Sequence, residues 1–129
     1  MNSWKKLLVE RLIEEDGAKG AVIWGLDGSV CACAGMSGSE AEFMEVDRVL
    51  EDPAEAKLRG VFLNGERFTV LSAPSGQCLK AICGDVVLTA AKSRTTIIAA
   101  MHTVSSDKLI TTSGKGAEEL AQELRESDC

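Results

Sequence analysis

The chain has 129 residues, enough for one domain that buries its own core. Hydrophobic residues make up 45% and charged residues 26%, which excludes a disordered or fibrous chain. The net charge of −6 argues against a nucleic-acid-binding protein, because such a protein needs a basic surface to neutralise phosphates.

The sequence also indicates a compartment. No stretch reaches the roughly 20 apolar residues that span a bilayer, and Glu10, Arg11 and Glu14 interrupt the N-terminal leucines where a signal peptide would be apolar. We therefore expect a cytoplasmic protein with reduced thiols. The five cysteines and the single histidine lack the spacing of zinc ligands, so we expect no metal and no cofactor.

The first predicted element is an amphipathic helix over residues 3–15. Its apolar side carries Trp4, Leu7, Leu8 and Leu12 at spacings of three and four, and Gly17 marks its end. A terminal tryptophan of this kind is usually a packing residue. It gains a functional interpretation only together with other aromatic or apolar groups.

A β-hairpin is predicted over residues 21–33, because Asp27-Gly28 separates two strand-like runs. If this pair forms a two-residue turn, Trp24 lies directly opposite Cys31, on the same face of the sheet.

The remaining elements follow from changes in hydrophobic period. A capping box of Ser39 and Glu42 begins a helix, which Asp52-Pro53 interrupts before a further helical turn over residues 54–59. Alternating patterns then predict strands over residues 61–63, 68–71, 78–82, 86–89 and 95–102, and Ala117, Leu120, Ala121 and Leu124 predict a C-terminal amphipathic helix.

The resulting order is α-β-β-α-β-β-β-β-β-α over a single domain of residues 1–129. Strands joined by tight turns require an antiparallel sheet, so the predicted class is α/β (α+β) with about six or seven strands. The two terminal helices have matching apolar stripes, and we expect them to share one face of this sheet.

The chain resembles the profilin family over almost its whole length. The resemblance depends on Trp4, on the string AVIWGLDGSVCA from Ala21, and on LRGVFLNGERFTVL from Leu58. It implies a further helix on the opposite face of the sheet from the terminal helices. It also implies a cytoskeletal, monomeric protein that binds monomeric actin and regulates its polymerisation.

The family's actin-binding face maps onto the strands after the second hairpin and the start of the C-terminal helix. The resemblance therefore implies actin-binding residues Arg67, Thr69, Lys80, Lys115, Glu118 and Glu119. Arg67 and Thr69 alternate along one strand and so point to the same side. Without the resemblance, these residues would be read as an ordinary solvated face.

The family's site for proline-rich segments lies between the two terminal helices. Its implied residues here are Trp4, Leu7, Trp24, Cys31, Leu124 and Cys129. The family usually has aromatic or histidine side chains at several of these positions, whereas aromatic residues are 4% of this chain. We therefore expect reduced or altered binding, with Trp24 compensating from its position opposite Cys31; the other interpretation of Trp24 is simple core packing.

Other functions fit the sequence less well. Phosphoinositide binding through Arg125, Lys80 and Lys115 is expected to be weak, because acidic residues surround Arg125 and the net charge is negative. His102 stands alone and no cysteine has a nucleophile motif, so we expect no catalytic residues and no enzyme. The alternative is a nonenzymatic interaction scaffold of the roadblock or longin type, without actin binding.

Overall fold

The computed structural model describes residues 3–14, 17–35, 39–63, 65–72, 78–103 and 115–126. Four α-helices lie in these ranges: α1 (Ser3–Leu8), α2 (Glu40–Glu51), α3 (Pro53–Arg59) and α4 (Lys115–Glu126). The N-terminal helix continues from α1 as a π-helical segment, Val9–Glu14. The strands are β1 (Gly20–Gly25), β2 (Val30–Ala34), β3 (Val61–Leu63), β4 (Glu66–Ser72), β5 (Cys78–Cys83), β6 (Val86–Lys92) and β7 (Thr96–Thr103).

The seven strands of the described ranges form one antiparallel sheet in the order β2-β1-β7-β6-β5-β4-β3. From β3 to β7, each strand therefore pairs with the next strand along the chain, and β1 pairs with the other side of β7. This confirms the predicted antiparallel α+β architecture, for which about six or seven strands were expected. No helix in the described part of the chain is long and apolar enough to cross a membrane.

The α2 face of the sheet is covered by one continuous core, here called the α2 core. Its centre is Trp24, which is fully buried and meets Phe43 edge-to-face with ring centroids 5.9 Å apart. The helix that covers it begins at the predicted capping box, where the Glu42 N–H donates to the Ser39 side chain. The members are Val22, Trp24, Phe43, Val46, Val49, Leu50, Val61, Leu63, Phe68, Val70, Leu79, Ala81, Leu88, Ala90, Ile97, Ala99 and Met101.

The opposite face carries a smaller core beneath the N- and C-terminal helices, here called the terminal-helix core. Leu8 and Leu12 meet Leu120 and Ala121 there, so the two terminal helices lie together on this face as expected. The members are Leu8, Leu12, Ala18, Ala21, Ile23, Ala32, Ala91, Ile98, Ala100, Leu120 and Ala121.

The first hairpin differs from its prediction. The Gly25 N–H donates to the Ser29 carbonyl (2.8 Å) and the Gly28 N–H donates to the Gly25 carbonyl (3.0 Å), so the loop contains residues 26–28. Gly28 takes the positive φ of +90° that this longer turn requires. The Asp27 carboxylate stabilises the turn by accepting from the Ser29 N–H and hydroxyl.

The longer loop changes which residues face each other. Trp24 lies opposite Val30, and a β-bulge follows, because Ile23 lies opposite Ala32 and Cys31 is the extra residue. The predicted pairing of Trp24 with Cys31 is therefore wrong. Trp24 points into the α2 core, and Cys31 packs against the terminal-helix core on the other face.

Candidate binding sites

The first candidate site is the part of the sheet that the terminal helices leave uncovered, here called the open strand surface. Its described members are Phe62, Arg67, Thr69, Leu71, Lys80 and Ile82. Phe62, Arg67, Thr69, Lys80 and Ile82 alternate with residues of the α2 core, so they point to the terminal-helix face. Leu71 is the extra residue of a β-bulge between Val70 and Ser72, and its side chain is exposed. The pairings Phe62–Arg67 and Thr69–Ile82 place their side chains next to each other across the strands.

Three of the predicted actin-binding residues meet on this surface. Arg67 and Thr69 are exposed on β4, and Lys80 is half-buried on β5. Lys80 lies opposite Thr89, which is fully buried on β6. Lys80 therefore stands at the boundary between exposed and covered parts of this face.

Arg67 also has a structural role that the sequence did not reveal. Its Nε donates a hydrogen bond of 2.9 Å to the carbonyl of Arg59, and Arg59 is the last residue of α3. A cation at a helix C-terminus stabilises the carbonyls that lack helical partners. The Arg67 side chain is thus held in place from β4, and replacing it changes the end of α3 as well as the charge of the surface.

The predicted helical residues lie on the same face but on another element. Lys115 is the first residue of α4, Glu118 is half-buried in its first turns and Glu119 is exposed. Because α4 packs on β6 and β7, with β5 lying between β6 and β4, the helix start and the open strand surface share one side of the sheet.

Exposed apolar residues on the open strand surface were missed by sequence reasoning. Phe62 is 52% exposed and Leu71 is 44% exposed, beside the polar side chains of β4. Strict alternation was a usable signal, because Val61 and Leu63 flank Phe62 and both are buried. Apolar groups among charges are typical of protein interfaces.

The second candidate site lies between the terminal helices and β2. Trp4, Leu7, Cys31 and Leu124 are all partly buried against the terminal-helix core, so the structure gathers four of the six predicted residues there. The prediction that Trp24 contributes to this site is wrong, because its side chain is completely buried in the α2 core on the other face of the sheet. Cys129 lies outside the described residues.

An ion pair fixes the two helices beside this site. Both terminal nitrogens of Arg11 donate to the Glu123 carboxylate in a bidentate arrangement. The hydrogen bonds from Arg11 hold the pKa of Glu123 below its ordinary range. The sequence contained no signal for this pair, since the partners are 112 positions apart.

The thiol in this site is not activated. Burial raises the pKa of Cys31, and the nearby negative charge of Asp27 raises it further. A raised pKa leaves a thiol protonated near neutral pH, and the protonated form is a poor nucleophile. Cys31 is therefore suited to apolar contact.

The sequence model of the profilin family matches residues 2–129. This chain belongs to the profilin family. The match decides against the roadblock or longin alternative, and the family consists of actin-binding regulators that are not enzymes. A search of curated protein sequences found no significant match.

Solved profilin structures have the same fold. Profilin II of Acanthamoeba castellanii is 21% identical, with a TM-score of 0.85 over 98% of this chain and 100% of that one. Schizosaccharomyces pombe profilin is 19% identical, with a TM-score of 0.86 over 97% and 98% of the two chains. Mouse profilin IIa, solved with a double repeat from the FH1 domain of mDia1, is 15% identical, with a TM-score of 0.71 over 98% and 99%.

Proposed function

We propose that this protein binds monomeric actin through the open strand surface and the start of α4, and that it regulates actin polymerisation in the cytoplasm. Membership of the profilin family is the observation that carries the proposal. The proposed contact residues are Arg67, Thr69, Lys80, Lys115, Glu118 and Glu119. The exposed Arg67 beside Phe62 and Leu71 supports this assignment, because such a mixture of basic and apolar side chains suits an acidic protein surface.

A polymerisation assay with purified actin tests the proposal. The wild-type protein is expected to slow filament assembly and to form a one-to-one complex with monomeric actin. Thr69→Glu should weaken that complex about tenfold or more, because it places a negative charge in the centre of the surface. A wild-type protein that leaves polymerisation unchanged and forms no complex would contradict the proposed function.

Two further variants separate charge from structure. Arg67→Glu should also weaken actin binding, although it removes the hydrogen bond to Arg59 as well. Lys6→Glu changes the net charge by the same amount at an exposed position of α1 and serves as the matched control. Actin binding should be retained by the Lys6 variant.

We also propose a reduced site for proline-rich segments, formed by Trp4, Leu7, Cys31 and Leu124. A half-buried indole beside apolar side chains can stack on a preformed polyproline helix. Few aromatic groups are present, so the proposed affinity is low. A polyproline titration should change the fluorescence of Trp4 in the wild type and give no change in Trp4→Phe, since Trp24 is buried on the other face.

Phosphoinositide binding is proposed only as a weak property. Arg125 is half-buried, and Glu123 and Glu126 flank it along α4. Anionic headgroups would meet this negative charge on approach. Sedimentation with vesicles that contain phosphoinositides should therefore recover little protein at physiological ionic strength.

A further inference from the structure

The two outer strands of the sheet carry a protective feature. Among the strands that the structure describes, β2 and β3 lie at the ends of the order, and each pairs there with a single neighbour. Such a strand offers backbone N–H and C=O groups to any other chain that can add to the sheet. Charged side chains from the adjacent helices bind these groups on both outer strands.

On β3, an ion pair from α2 binds the outward backbone groups. The Phe62 N–H donates to Glu45 Oε1 at 3.1 Å, so it points away from β4. Arg48 Nη2 donates to the Gly60 carbonyl and to the same Glu45 oxygen, each at 3.2 Å. Gly60 directly precedes β3 and has a positive φ of +77°, and its carbonyl and the Phe62 N–H meet the same Glu45–Arg48 pair. The ion pair thus supplies one donor and one acceptor, as a peptide group of a further strand would.

On β2, the outward direction follows from alternation along β1. The Gly25 N–H donates to Ser29 on the β2 side, and the Leu26 N–H donates to Thr95 on the β7 side. Val22 is therefore directed to β7, and its partner Cys33 has backbone groups that point away from the sheet. Lys5 Nζ of α1 donates to the Cys33 carbonyl at 2.5 Å.

We propose that Lys5 and the Glu45–Arg48 pair keep both sheet edges closed to strand pairing with a second copy of this chain. A second copy is the fitting occupant, because an edge opened in one molecule is opened in all of them. Two identical strands can then pair antiparallel about a two-fold axis. β2 has five residues and β3 has three, so the stronger association is expected at β2.

Sedimentation of a double variant tests the proposal. Lys5→Ala with Glu45→Ala should form a concentration-dependent dimer between micromolar and millimolar protein, whereas the wild type stays monomeric. The matched control, Lys5→Arg with Glu45→Gln, keeps one donor and one acceptor and should also stay monomeric. A folded double-alanine variant that remains a monomer would overturn the proposal, as would a wild type that dimerises over the same range.

Amide hydrogen exchange tests the β3 edge separately and requires no dimer. The Phe62 amide should exchange about tenfold faster or more in Glu45→Ala than in the wild type, and Glu45→Gln should preserve its protection. Phe68 lies opposite Val61 within the sheet and provides the internal reference. Equal exchange of Phe62 in all three proteins would show that Glu45 does not close this edge. Neither measurement depends on actin binding.

Discussion

The two faces of the sheet differ in how completely helices cover them. On the α2 face, a single core extends across the sheet and includes its largest side chains. On the other face, the terminal helices cover one part and leave Arg67, Thr69 and Leu71 of β4 exposed. Packing therefore determines the residue types on the first face, while the uncovered part of the second face is available for partner recognition.

The two tryptophans illustrate the same contrast. Trp24 is completely buried on the α2 face, and Trp4 is half-buried on the terminal-helix face. The same residue type thus fills a core in one place and borders a candidate groove in the other. Substitutions on each face can therefore show whether the two faces, and the two candidate sites, are as distinct as their burial indicates.

The largest expected effect is on stability. Trp24→Ala should lower the free energy of unfolding by about 3–5 kcal/mol, because it leaves a cavity beside Phe43. Trp4→Ala should cost about 1–2 kcal/mol, since that side chain is only partly buried. Denaturant titrations measure both values. Equal losses in the two variants would remove the distinction between the tryptophans.

The second prediction concerns the independence of the two candidate sites. Thr69→Glu should weaken actin binding about tenfold or more and leave the affinity for a polyproline peptide unchanged. Trp4→Ala should weaken binding of the polyproline peptide and leave actin binding unchanged, because Trp4 packs against the terminal-helix core, away from the open strand surface. Titrations of each variant with both ligands provide the test, and a variant that weakens both would indicate a single shared surface.

A smaller effect is expected from the ion pair between the terminal helices. Arg11 lowers the pKa of Glu123, so the pair stabilises the fold above the unfolded-state pKa of that carboxyl. This stabilisation is lost as pH falls through the lower, folded-state value. Glu123→Gln should thus unfold at lower denaturant than the wild type at neutral pH, and the difference should disappear in acid and shrink in high salt.

Its matched variant is Arg11→Gln, which removes the same pair from the π-helical segment. The two single variants and the double variant should show nearly the same loss, because either change removes the interaction. Additive losses would mean that the residues act separately and that the pair does not hold the helices together.

The smallest expected effect is on thiol chemistry. Burial raises the pKa of both Cys31 and Cys83, and a nearby carboxylate adds to the increase, from Asp27 and Glu66 respectively. Alkylation should be slow at both thiols near neutral pH. A polyproline peptide should slow the reaction of Cys31 a further few-fold and leave Cys83 unaffected, which mass spectrometry can measure. Protection of both thiols, or of neither, would contradict the proposed groove.

The sequence predicted the elements well where local signals were strong. The capping box at Ser39, the apolar stripe through Phe43 and the alternation around Phe68 each predicted an element that the structure contains. These signals depend on residues close together in the chain. The π-helical form of Val9–Glu14 was not predicted, because its apolar positions also fit an ordinary helix.

The candidate sites were less predictable than the elements. Family resemblance selected Arg67 and Thr69, which lie on one exposed face, but it could not indicate that Arg67 is hydrogen-bonded to the end of α3. The loop of the first hairpin is one residue longer than predicted, and Trp24 and its predicted partner Cys31 therefore point to opposite faces of the sheet. Register has a period of two, so an error of one residue reverses the face of a side chain.

By itself, the sequence determined the family through its resemblance at Trp4 and the two hairpin strings. It also determined the antiparallel sheet and the sharing of one face by the two terminal helices, because these follow from periodicity and turn residues. Only the tertiary structure decided which tryptophan borders the groove, which charges bind the sheet edges and how Arg11 meets Glu123. Those contacts join residues far apart in the chain, and their geometry is set by strand register and helix packing.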